Sequence, residues 1–178
     1  MIQPGRRHLL LWGMMGSGKT TVGRALSRRL GRPFIDLDEF VCQGAGRSIR
    51  EIFDRDGEDG FRVLEKESLQ TLLERSEPLI IALGGGSLLD DDFRAAVRAR
   101  TVVVGLTVDV ESLERRLQND EERPLLAPGQ RRHRLALLMS QRSVAYGDVD
   151  GIAQNVDGQL DETVEQIMAM VELTEHAA

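Results

Sequence analysis

Gly13-Met14-Met15-Gly16-Ser17-Gly18-Lys19-Thr20 decides the fold of this chain. The octapeptide has the form G-x-x-x-x-G-K-[ST], the loop that wraps nucleotide phosphates. Glycine is needed there because successive backbone N–H groups must turn inward around an anion, where a Cβ would block the approach. The helix opened by the loop points its positive dipole end at the same anion. Lys19 then reaches the β- and γ-phosphates, and the Thr20 hydroxyl is a candidate ligand for Mg²⁺. The expected nucleotide-phosphate-binding stretch is Gly16, Ser17, Gly18, Lys19, Thr20 and the adjoining Thr21. His8-Leu9-Leu10-Leu11-Trp12 precedes it as an apolar strand, and Val22, Leu26 and Leu30 follow at helical spacing. Such a loop specifies phosphate and leaves the acceptor open.

Bulk properties narrow the choice. A chain of 178 residues suffices for one domain with a full core, and no linker divides residues 1–178. The net charge of −6 argues against general attraction to nucleic acid, so any grip on an anionic substrate must come from arginines gathered locally. No apolar stretch approaches the ~20 residues of a membrane span, and residues 1–7 are too short and polar for a secretory signal. A single cysteine, Cys42, suits a reducing cytosol. The expectation is a cytoplasmic, monomeric protein acting on small molecules. His8, His133 and His176 show no metal-ligand spacing.

Strand and helix alternate from end to end. Residues 34–38 read as a second strand, and Ser48-Ile49-Arg50-Glu51 is a capping box that opens a short helix ended by Asp56-Gly57. A longer helix covers about 58–75, and Leu79-Ile80-Ile81-Ala82-Leu83 is a strand of the kind buried on both faces. Gly84-Gly85-Gly86 follows at once. A helix through Val97, a strand over 101–107, a helix over 110–117, a polar loop over 118–130, a helix over 131–146, a strand near 152–156 and a last helix complete the pattern. The fold class is therefore α/β, a five-stranded parallel sheet flanked by helices. Ligands of such sheets lie beyond the carboxyl ends of the strands.

That rim collects the second half of a site. Asp36 and Asp38 are expected to end strand two with both carboxylates on one side, facing the phosphate loop. One would hold the metal, and the other would orient an attacking hydroxyl. Arg62 and Glu65, three apart beside Phe61, share a helix face and could clamp a small carboxylate; the spacing equally describes a surface ion pair. The triple glycine exposes backbone N–H groups to close approach. The third strand lacks the acidic end found in many phosphate-loop ATPases, which moves the metal burden to Asp36. Arg123 in the 118–130 loop could close on the transferring phosphoryl group, and Arg142 is ambiguous by itself.

Taken together, GMMGSGKT, FIDLD, GRSIREIF with the FRVLE that follows, the triple glycine, and RPLL followed by R-x-x-x-Y resemble the shikimate kinase family, in order and spacing, from about residue 8 to 171. The resemblance implies a nucleoside-monophosphate-kinase-like fold with a lid at 118–130, and phosphorylation of the shikimate 3-hydroxyl by ATP with Mg²⁺. It assigns Lys19 to the transferring phosphate, Thr20 and Asp36 to Mg²⁺, and Asp38 to the shikimate hydroxyls. Arg62 and Arg142 would grip the carboxylate, with Gly85 and Gly86 lending backbone contacts and Phe53 and Phe61 walling the pocket. Arg123 would be the lid arginine, and Arg116 would lie over adenine. The chain departs from the family pattern at Val63, at Val144-Ala145 and over 154–157. A gluconate-type sugar-acid kinase and a non-catalytic ligand sensor are the alternative readings.

Overall fold

A computed structural model describes residues 8–117 and 131–176 of the chain. Five strands form one parallel sheet: β1 (Leu9–Trp12), β2 (Phe34–Asp36), β3 (Ile80–Ala82), β4 (Val102–Thr107) and β5 (Gly151–Gln154), in the order β2-β3-β1-β4-β5. Leu10 stands beside Ile81 on one flank and Val103 on the other, so β1 is central. Seven helices flank the sheet: α1 (Lys19–Leu30), α2 (Leu37–Ala45), α3 (Ile49–Leu73), α4 (Asp91–Arg98), α5 (Val110–Arg116), α6 (Arg131–Gly147) and α7 (Leu160–His176). The expected parallel α/β architecture is present. Among the described residues, no helix is long and apolar enough to cross a membrane.

Strand periodicity divides the core into two layers. Leu10 and Trp12 face one side, where Leu37 and Val41 of α2, Ile52 and Leu69 of α3 and Val97 of α4 cover them. Leu9 and Leu11 face the other, against Val22 and Leu26 of α1 and Val164 and Ile167 of α7. Every residue of β1 is buried, as a continuous apolar run in a parallel sheet requires.

The second strand departs from expectation. It stops at Asp36, and Leu37 already opens α2. Asp36 caps that helix, accepting a hydrogen bond from the Asp38 N–H at 3.1 Å, and Asp38 and Glu39 occupy the first turn. An Asp cap with acidic residues behind it satisfies the exposed N–H groups and the helix dipole, which ends the strand early. Asp36 and Asp38 therefore do not share a strand face; one is a cap and the other a first-turn residue. The Ser48–Glu51 capping box forms as read, and Gly57, at φ 73° and ψ −177°, breaks α3 where Asp56-Gly57 was expected to end a helix. The 118–130 segment, with Arg123, lies outside the described residues.

Candidate active site

The loop between β1 and α1 is shaped by close approaches. A Cβ on Gly13, whose φ is 151°, would stand 2.3 Å from the Leu106 carbonyl oxygen. One on Gly18, at φ 89°, would stand 2.2 Å from Asn155 Nδ2. Lys19 Nζ arches back over the loop and donates to the carbonyls of Gly13 and Met14, 2.9 Å each. The Thr20 hydroxyl donates to Asp36 Oδ2 at 2.8 Å, joining the two expected metal ligands, one in the first turn of α1 and the other at the end of β2. Asp38 stands on the α2 turn beside Gly84, where a Cβ would come 3.2 Å from its Oδ1. A cavity of about 310 Å³ opens among these groups, with Gly16, Gly18, Thr21, Gly85 and Arg116 also on its wall. The two aspartates thus reach one hollow, by a cap and a helix turn rather than by strand alternation.

Arg116, at the end of α5, donates to Gly16 O at 3.1 Å and through Nε to Asp157 at 2.9 Å. Asn155 Nδ2 donates to Ser17 O at 2.7 Å. Both therefore tie the outer side of the phosphate loop to the end of β5. The hydrogen bond from Arg116 holds the Asp157 carboxyl below the ordinary aspartate pKa. Ser17 itself is fully buried.

Beside the hollow, the triple glycine serves as a crossing point. None of the three has positive φ; their bareness is needed for contact. A Cβ would stand 2.5 Å from Glu65 Oε1 at Gly84, 3.2 Å from Arg142 Nη1 at Gly85, and 2.4 Å from Arg62 Nη2 at Gly86. Among the described residues, neither the Gly85 nor the Gly86 N–H donates to another group.

Arg62 and Glu65 form no ordinary surface pair. Glu65 is 1% exposed; its Oε2 accepts from Arg62 Nη1 at 2.6 Å and its Oε1 from the Ser87 hydroxyl at 2.6 Å. Burial opposes the charge on Arg62, yet Glu65 and then Glu58 raise its pKa above the usual arginine value. Arg142 differs. It is 9% exposed, and no carboxylate pairs with it among the described residues. A buried guanidinium without a counter-ion is costly, so an anionic ligand would be welcome there. A more open hollow of about 470 Å³ also touches Arg142, but its other arginine, Arg94, is already held by Asp91 and Asp148. Phe53 and Phe61 pack with ring centroids 5.1 Å apart, and Arg62 lies 5.3 Å from the Phe61 ring centre.

The structure thus gathers Lys19, Thr20, Asp36, Asp38 and Arg116 on one hollow, with Arg62 and Arg142 against the adjoining glycines. Sequence reasoning missed Ser87, paired Glu65 with Arg62 without its burial, and met Tyr146 only as the end of the R-x-x-x-Y pattern. Ser87 carries no recognisable signal. The burial of Glu65 depends on what covers α3. Tyr146 had one available signal, since it follows Arg142 by four residues and shares its helix face.

Comparison with known proteins follows the same lines. The family model described as "Shikimate kinase" matches residues 15–172. A shikimate kinase from Streptomyces coelicolor is 42% identical over 168 residues, covering 94% of this chain and 96% of that protein. The solved structure of a shikimate kinase from Acinetobacter baumannii, in complex with shikimate, superposes with a TM-score of 0.87 at 33% identity, covering 93% of each chain. A gluconokinase from Sinorhizobium meliloti shares the fold, with a TM-score of 0.65 at 21% identity over 98% of this chain and 97% of its own.

Proposed function

The chain belongs to the shikimate kinase family of ATP-dependent phosphotransferases, and from that premise we propose how its own residues divide the work. ATP lies in the hollow with its phosphates on Gly16, Ser17, Gly18, Lys19, Thr20 and Thr21, and its base toward Arg116. Shikimate lies over the triple glycine, its carboxylate between Arg62 and Arg142 and its hydroxyls toward Asp38. The observation that carries this reading is the buried Arg142 guanidinium, set against Gly85 with no carboxylate partner among the described residues.

Mg²⁺ takes a few protein oxygens and completes its shell with water and phosphate. The oxygens of Thr20 and Asp36, 2.8 Å apart, fit that demand. When bound, the ion neutralises charge on the β- and γ-phosphate oxygens. The rest falls to the chain. Phosphoryl transfer passes through a loose transition state, so positioning and charge neutralisation are its main needs. Lys19 supplies positive charge as the bond from the γ-phosphorus to the bridging oxygen breaks. Asp38 aligns the 3-hydroxyl for in-line attack and takes its proton late, as the new P–O bond forms. Arg123, outside the described residues, is assigned to the γ-phosphoryl group within a 118–130 lid.

Arg62→Ala is expected to raise the KM for shikimate roughly tenfold to a hundredfold, the worth of a charge-assisted hydrogen-bonded pair, with the KM for ATP little changed. Steady-state kinetics with each substrate varied in turn would check it, and an unchanged shikimate KM would remove Arg62 from the site. ATP turnover against shikimate, quinate and gluconate tests the reading as a whole. Shikimate should be strongly preferred; turnover only with gluconate would favour the sugar-acid alternative, which rests on likeness of fold alone. Binding without turnover would favour the sensor. The lone free cysteine, Cys42, accords with a reducing cytoplasm. A site assembled within one chain suits a monomer, which sedimentation would check.

A further inference from the structure

The single tyrosine of the chain lies where three parts of the site meet. The Tyr146 hydroxyl donates to the Gly85 carbonyl at 2.8 Å. The same oxygen lies 3.4 Å from Met14 Sδ in the phosphate loop. Arg142, one turn earlier on α6, lies against the same glycine: a Cβ on Gly85 would stand 3.2 Å from both the Tyr146 oxygen and Arg142 Nη1, so the phenol oxygen faces the guanidinium. The ring stands edge-on to Trp12, with centroids 4.7 Å apart and planes at 81°. Trp12 is fully buried in the central strand, so the ring is braced by the middle of the sheet.

We propose that Tyr146 is a positioning residue for the acceptor, one hydroxyl that holds the Arg142 guanidinium and the Gly85 backbone in a single fixed relation. The chemistry is directional. A neutral phenol offers one proton and two lone pairs, so it can accept from a guanidinium while donating to a carbonyl. Burial pushes the phenol pKa up, against the opposing bond and charge of Arg142, so the group stays protonated and remains a donor at neutral pH. Fixing the Gly85 carbonyl also fixes the planar peptide it belongs to, and with it the Gly86 N–H on the far side. Arg142 and Gly86, both assigned above to the substrate, are thereby set by the same oxygen. Geometry held in this way favours binding because less freedom is lost when the ligand arrives.

This inference rests on the assignment of Arg142 to the shikimate carboxylate, and its test separates the two. Tyr146→Phe keeps the ring on Trp12 and removes only the hydroxyl. It should raise the KM for shikimate about fivefold to tenfold, the worth of one or two hydrogen bonds, with the KM for ATP within about twofold of the parent. Arg142→Ala should raise the KM for shikimate more than Tyr146→Phe does. The double variant should be no worse than Arg142→Ala alone, because the hydroxyl then has no guanidinium to place. An unchanged shikimate KM in Tyr146→Phe, an equal rise in both KM values, or effects that simply multiply in the double variant would overturn the proposal. If Arg142→Ala impairs shikimate binding while Tyr146→Phe does not, the positioning role alone falls. If Arg142→Ala is silent, the carboxylate assignment falls with it.

Discussion

Lys19→Met should lower kcat by about a hundredfold or more, with the fold intact. The lysine is the only cation in the octapeptide, and its ammonium donates to two loop carbonyls at 2.9 Å each. Its charge counts most where negative charge shifts onto the bridging oxygen. A hundredfold loss corresponds to about 2.7 kcal/mol of transition-state stabilisation, which is ordinary for one preorganised donor. Methionine matches lysine in length and packs on the same carbons, so circular dichroism and the thermal midpoint should change little. Turnover near that of the parent protein would end the account of the donor half.

Asp38→Asn is the second large effect. Asparagine keeps the shape and leaves the backbone N–H that donates to Asp36 undisturbed, but it cannot accept the proton of the attacking hydroxyl. A fall of about a hundredfold or more in kcat is expected, with the KM for ATP nearly unchanged. The neighbouring carboxylate is no substitute, since Asp36 is engaged with the Thr20 hydroxyl and the helix cap. A pH–rate profile separates base from spacer: the acidic limb of the parent curve should be lost in the variant. An acidic limb of the same shape would assign the proton to another group.

Much of the site was legible because its chemistry is local. The phosphate loop announces itself through glycine spacing, and the structure shows why: a Cβ at Gly13 or Gly18 would strike the Leu106 carbonyl or Asn155. The Ser48–Glu51 box and the break at Gly57 are likewise local. Asp36 and Asp38 were correctly sent to the phosphate loop for the wrong reason. Strand alternation does not bring them there; a helix cap does, and its competition with the strand is decided within three residues. The boundary was hard to read because FIDLD satisfies both patterns.

The sequence alone determined that this chain is an α/β phosphate-loop protein with five parallel strands, since period and glycine placement follow from covalent geometry and local sterics. It also singled out the phosphate loop, whose pattern lies within one octapeptide. Only the tertiary structure showed the surroundings of the arginines and the lone tyrosine. Arg62–Glu65 looks the same in sequence whether it is a solvated pair or, as here, anchored on a glutamate that is 1% exposed and bonded to Ser87. Arg142 gains its significance from lying buried against Gly85 with no carboxylate partner among the described residues, and Tyr146 from touching Gly85 and Met14 together. Burial and long-range contact set the energy of a charge or a hydroxyl, and neither is a property of the residue or its neighbours in the chain.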